Sequence, residues 1–306
     1  MVVLILVSLL TFLAMHLLPG DPIYMVMTSN QLSNISAEQI EAIRHQYGLD
    51  APIMVQYGRW LGGVVHGDFG NSIIQHVPVL SLLAQGMPVT INLAIPALII
   101  GSLIGILAGI ICAIRRGSAI DTIVTIFANI GITVPIFWLG IMLIYLFALK
   151  LGWLPVQGYT SPFDDLVKNI RQMIMPVFCL SIFPMASIAR QTRSSMLEVM
   201  HQDYIRTAWS KGLRERGIVF KHALKNGLIP IVTLMGISLS IVVGGAVLEE
   251  IVFNIQGVGR MLISAVLIHD YPVVQGFVFL IAVLILIINL LVDISYGWLD
   301  PRIRYS

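Results

Sequence analysis

From Val89 to Ala113 the chain passes through 25 residues without one charged side chain. A helix needs about 20 predominantly apolar residues to cross the hydrocarbon core of a bilayer, where water cannot satisfy the backbone. Five other runs share this character: Val2–Leu18, Ile123–Leu149, Met173–Ala189, Leu228–Leu248 and Val273–Val292. The first and fourth are the shortest, at 17 residues each. Charged residues make up 11% of the sequence, against roughly 25% in soluble domains. The chain therefore reads as an all-α polytopic membrane protein with six transmembrane helices. The first run shows neither a basic leader nor a small-residue cleavage site, so it reads as a span rather than a signal peptide.

Six spans put both termini on one side, and the Lys and Arg distribution chooses which. Segments 114–121, 190–226 and 298–306 hold 12 of the 18 basic residues. Segments 19–86, 150–172 and 248–272 hold the other six in about twice the length, a bias that places both termini in the cytoplasm. The outer face then carries ten acids, among them Glu249, Glu250 and Asp270, and is mildly acidic. Within the outer segment 19–86, Ser36–Gly48 reads as an N-capped helix ending at glycine, and Val55–Val65 as a second helix. No internal repeat or low-complexity linker interrupts the chain, which is expected to form one membrane domain, 1–306, with an outer cap.

The longest polar stretch between late apolar runs holds a short helix. Asp203 is placed to N-cap it, Lys211 to close its last turn, and Gly212 to take a left-handed conformation. Tyr204, Ile205, Ala208 and Trp209 share one face at helical spacing, with Arg206 and Thr207 elsewhere. Such a one-sided helix fits either another protein or the lipid surface.

Inside the spans, Pro96, Pro135 and Pro184 predict kinks or freed carbonyls. Asn92, Asn129, Thr133, Ser181 and Ser238 are candidates to line a solute path, with hydrogen bonding between helices as the competing role. Ser240 and Asn289 lie at similar depth. Gly101, Gly105 and Gly109 recur every four residues, the pattern of close helix contact. Asp293, near Arg302 and Arg304, reads as half of an interfacial ion pair. Cys112 and Cys179 lie in apolar runs and offer no disulfide framework. The seven histidines form no HExxH motif, and no GxxxxGK[ST] loop is present, so the chain has no visible means of hydrolysing ATP. A stand-alone secondary transporter or channel would call for intramembrane charge and an inverted repeat. An intramembrane enzyme would call for clustered catalytic side chains, and neither pattern is found.

Several motifs together resemble one family. They are His16-Leu-Leu-Pro-Gly-Asp-Pro22, Tyr47-Gly-Leu-Asp-Ala-Pro52, Gly67-Asp-Phe-Gly70, Arg193-Ser-Ser-Met-Leu-Glu198 and Asp203-Tyr-Ile-Arg-Thr-Ala208. With them stand Lys211-Gly-Leu213, His222-Ala-Leu-Lys-Asn226, Leu228-Ile-Pro230, Asp270-Tyr-Pro-Val-Val-Gln275 and Pro301-Arg-Ile-Arg304. The chain resembles the inner-membrane permease subunits of bacterial ABC importers for dipeptides, oligopeptides and nickel. It is most similar to the first-named, B-type permease of each pair. In the wider family the cytoplasmic loop carries E-A-A-x-x-x-G followed by I-x-L-P. Here Arg206-Thr207-Ala208 stands in the first triplet, Gly212 is in register, and His222-Ala-Leu-Lys225 fills the second place. The peptide-type branch shows the same departure. A basic leader and the start of span one, usual in that family, are absent, which implies a late start or a trimmed chain.

The resemblance implies a type I importer permease fold without a catalytic site or cofactor of its own. It implies a second permease, a solute-binding protein outside, and two ATPase subunits that hold ATP and Mg; no nucleic acid is involved. It also implies that residues 190–226 form the coupling loop, with Asp203, Tyr204, Ile205, Arg206, Thr207, Ala208, Trp209, Lys211, Gly212 and Leu213 meeting an ATPase subunit. The cargo is left open among dipeptides, oligopeptides, nickel, glutathione and others such as haem-related or sugar solutes.

Overall fold

The structure, a computed structural model, describes residues 2–17, 41–42, 44–45, 50–214 and 217–299. Most of the expected Ser36–Gly48 helix, the His16–Pro22 motif beyond Leu17, the Pro301–Arg304 motif and the Asp293 side chain lie outside the described residues. So do the side chains of His222 and Lys225 in the I-x-L-P place. Among the described residues the architecture is helical, with one isolated β-bridge between Asn71 and Pro78.

In chain order the helices are α1 (Val2–Leu17), α2 (Ile53–Val65), α3 (Val79–Ile114), α4 (Ala119–Thr133) and α5 (Ile136–Leu143). α5 runs on as a π-helical turn, Ile144–Lys150. Then come α6 (Leu166–Met200), α7 (Asp203–Ser210), a π-helical turn at Ile218–Ala223, α8 (Leu224–Gly227), α9 (Ile229–Val252), α10 (Val258–Leu267) and α11 (Tyr271–Leu299). Among the described residues four helices are long and apolar enough to cross a membrane, or five if α4 and α5 form one broken span. The run at Val2–Leu18 forms the shorter α1, of 16 residues. The six-span reading is compatible with this inventory.

The three span prolines behave differently. α3 and α6 run through Pro96, Pro176 and Pro184 without a break. At Pro135 the helix stops, and α4 and α5 diverge by 104°. Val134 is extended (φ −70°, ψ 126°), the conformation that a following proline ring imposes. α3 packs directly on the helix at Pro184. A Cβ on Gly101 would come within 2.9 Å of the Pro184 ring and 2.7 Å of the Ser181 carbonyl. Gly105 and Gly109 meet Met185, Ala189 and Thr192 as closely, so the four-residue glycine repeat is the groove into which α6 fits.

By contact the chain divides into two units, Met1–Pro88 with Gln256–Ile285, and Val89–Ile255 with Leu286–Ser306. In the first, Phe69, Val79, Leu83, Tyr271 and Phe277 form the core. The loop after α2 is tied down by Asp270, which accepts from the Ser72 hydroxyl and, at 3.1 Å, from the Ile73 amide. Asp270 is thus buried, not part of an acidic outer surface. In the second unit α6 is central, packing against α4, α8 and α9. One core there joins Leu93, Ala97, Met175, Leu180, Val242 and Phe253. At about 1.5 Å per residue α6 is about 50 Å long, well over the roughly 30 Å of a bilayer core. Its last turns therefore project beyond the apolar region and carry α7.

Candidate functional site

α7 sits on its own protein. Ile205 (0% exposed) and Ala208 (7%) enter a cluster with Ile110 and Ala113 of α3, Met196 of α6, and Ile218, Val219 and Ala223. The apolar face expected from the sequence is therefore divided. Its centre is used internally, while Tyr204 and Trp209 on its flanks stay exposed. Asn226 donates to the Tyr204 hydroxyl at 2.8 Å. Arg206, Thr207, Lys211, Gly212 and Leu213 are exposed alongside.

The ends of α7 follow the sequence in part. Gln202, not Asp203, holds the N-cap position. Asp203 lies in the first turn instead, where its charge still favours the positive end of the helix dipole, 3.7 Å from Arg206. At the other end Gly212 takes φ +74°. The Gly212 amide donates to Trp209 O at 2.9 Å and the Leu213 amide to Ala208 O at 3.4 Å. That pairing is the Schellman motif, which closes the helix and turns the chain away. Lys211 occupies the C-cap, one position past the last turn.

One turn before Met196, Arg193 reaches back to α4. Its Nε and Nη2 donate to the two oxygens of Asp121 at 2.7 and 2.9 Å. The Gly117 amide adds a third hydrogen bond at 3.0 Å. Asp121 is buried and lies just before the apolar run at Ile123. Three hydrogen bonds, two from Arg193 and one from the Gly117 amide, satisfy its carboxylate. The sequence carries a local signal for this turn: Ser118 precedes Asp121 by three residues, as in a capping box, and its hydroxyl accepts from the Asp121 amide.

The five candidate path residues are not brought together. Asn92 accepts from Asn169 Nδ2 at 3.1 Å and lines a groove of about 370 Å³ with Pro96, Met173 and Phe178. Asn129 and Thr133 lie exposed on α4, Thr133 bonding back to its own helix at Asn129 O and Ile130 O. Ser181 is buried and donates to Phe178 O, and Ser238 is buried with no hydrogen-bond partner for its hydroxyl.

Two acids assigned to the outer face are instead fully buried in the last turn of α9. Glu250 accepts from Thr90 Oγ1 of α3 at 2.6 Å. Glu249 lies beside the Cys179 thiol and near Gly140, and no hydrogen bond of ordinary geometry reaches either carboxyl oxygen. With Asp270 also internal, the acidic outer surface expected from composition loses three of its members. Among the described residues no cluster of three or more His, Cys, Asp or Glu could hold a metal.

Two family models match the chain. Residues 105–305 match the binding-protein-dependent transport system inner membrane component, and residues 1–94 match the N-terminal part of the same transport components. A Brucella abortus protein named as a peptide transport system permease is 43% identical over 304 residues, covering 99% of this chain and 96% of that protein. The dipeptide transport system permease protein DppB of Escherichia coli is 38% identical over 323 residues, covering 98% and 94%. An inward-facing structure of the MetNI methionine ABC transporter superposes with a TM-score of 0.60 at 20% identity, over 72% of this chain and 97% of that one. An amino acid ABC transporter gives 0.54 at 16% identity, over 71% and 94%. The helical fold is thus that of ABC importer permeases, and the chain belongs to the binding-protein-dependent transport system inner membrane components, as a membrane-embedded transport permease.

Proposed function

We propose that this permease pairs with a second, similar permease and passes a peptide-like solute, delivered by an extracytoplasmic binding protein, using two separate ATPase subunits. The names of its relatives support the peptide class. In this reading the chain is not itself an enzyme, and ATP and Mg stay with the partners. It acts as one membrane domain in the inner membrane. Segments 114–121, 190–226 and the two termini are cytoplasmic, following the basic bias. Asn92, Asn129 and Thr133 are the polar residues best placed to meet solute, since Ser181 and Ser238 are enclosed.

The observation that carries the ATPase assignment is the division of α7's apolar face. A helix whose apolar centre is already buried against Met196 and Ile218 has little left to insert into lipid. It presents Tyr204 and Trp209 as a rigid pair of aromatics, the residue type that dominates protein interfaces. Trp209→Ala is expected to reduce co-purified ATPase subunit by roughly tenfold or more while the permease keeps its thermal stability. Unchanged ATPase recovery would remove α7 as the docking element.

Orientation has its own check. Single cysteines at Phe163, almost fully exposed in the loop before α6, and at Ser210 are to be tested after Cys112 and Cys179 are replaced. In sealed cells an impermeant thiol reagent should label the first and spare the second; the reverse pattern inverts the topology.

A further inference from the structure

α6 joins two places. Met196 enters the seat of α7, and Arg193, one turn earlier, grips Asp121 on α4. The grip is bidentate, and the Gly117 amide holds the same carboxylate from the interhelix turn. A forked guanidinium–carboxylate pair fixes orientation as well as distance. The buried carboxylate cannot exchange its partner for water without crossing an unpaired state.

α4 packs along α6, with Gly131 against Ile182, and the ion pair fixes its first turn. Its other end is the unwound joint at Val134–Pro135, where the chain turns by 104° into α5. Pro135 has no N–H, so the joint lacks the hydrogen bond that would weld the two helices together. Beside it lies a cavity of about 170 Å³ between Gly131, Leu139, Phe183 and Gly245. A close-packed interior resists displacement, and an unfilled space beside an unwound joint relieves that resistance. Asn129 and Thr133, two of the exposed polar residues of α4, lie on the helix between the ion pair and the joint.

We propose that Asp121 and Arg193 are positioning residues that carry displacement of α7 to α4, which swings about Val134–Pro135 and so moves Asn129 and Thr133. The inference rests on α7 being the ATPase-docking helix. The pair acts as a rigid link that stays closed through the cycle, not as a latch that opens.

The test uses the complete transporter with its ATPase subunits, reconstituted in nanodiscs. Spin labels replace the exposed Phe127 on α4 and Ile241 on α9 in a background without native cysteines. Pulsed dipolar spectroscopy reads their separation with and without ATP and vanadate. A nucleotide-induced shift is expected in the otherwise wild-type protein and is expected to vanish in Asp121→Asn and in Arg193→Gln. Each of these leaves one charge unpaired, which lowers complex yield. The double variant Asp121→Asn/Arg193→Gln removes both charges, and it should keep bound ATPase and thermal stability near wild type while losing the shift. A shift that persists in the double variant overturns the link, as does the absence of any shift in the parent complex with ATPase bound. If the parent carries no ATPase subunit, the docking assignment itself has failed.

Discussion

Ala208→Glu is expected to unseat α7 and abolish ATPase binding, a larger effect than loss of either exposed aromatic. Ala208 is 7% exposed within an apolar cluster of this same chain. An ionised side chain forced there without a partner costs several kcal/mol, about 3 or more. The helix has only eight residues, too few to persist once detached. Limited proteolysis between Gln202 and Leu213 gives the readout. The variant should be cut readily, whereas Trp209→Ala should resist like the parent. Equal resistance in Ala208→Glu would mean that the seat is not built on this residue. The contact that rejects the charge lies within the permease, so detachment should appear even when no ATPase subunit is present.

Gly109→Val should be the most damaging substitution in the spans. Even its Cβ would stand 2.5 Å from Thr192 Cβ and 2.6 Å from the Ala189 carbonyl. The carbonyl belongs to a helical backbone and cannot retreat, so α3 and α6 must separate. Overpacking of this kind costs about 1–3 kcal/mol before the lost contacts on either side are counted. Detergent-solubilised protein is expected to melt several degrees lower and to give less monodisperse material. Gly244→Ala is the matching control, because a Cβ there meets nothing within 4 Å. If both variants melt together with the parent, the close approach of α3 and α6 is wrong.

The sequence made the spans legible because lipid imposes one simple demand, a run of apolar residues long enough to cross. It made Gly212 legible for an equally local reason, since a helix end followed by a basic loop calls for a left-handed residue. The glycine repeat in α3 could be read as a contact face, though not which helix would fill it. What stayed hidden depends on distant partners. Nothing in Tyr204–Trp209 alone says which half of an apolar face is claimed by Met196, eight residues earlier than Tyr204, and by Ile218 in a later turn. Asp121 carries no local sign of its partner, because its guanidinium is 72 positions away. Pro135 and Pro184 look alike in sequence. One breaks its helix and the other lies inside a continuous helix on which α3 packs. Glu249 and Glu250 follow a run that ends at Leu248, so a count of charges placed them outside, whereas the helix continues to Val252 and takes both inward.

The Thr90–Glu250 hydrogen bond has a bearing on how the chain is made. An acid entering the bilayer without a partner costs a few kcal/mol. Thr90 precedes Glu250 by 160 residues, and α3 is threaded into the membrane long before α9 leaves the ribosome. The hydroxyl is therefore already at depth when the acid arrives, and α9 can enter by docking onto helices laid down before it. A version of the gene with the α9 segment moved ahead of α3 would insert that acid before the Thr90 hydroxyl is in place.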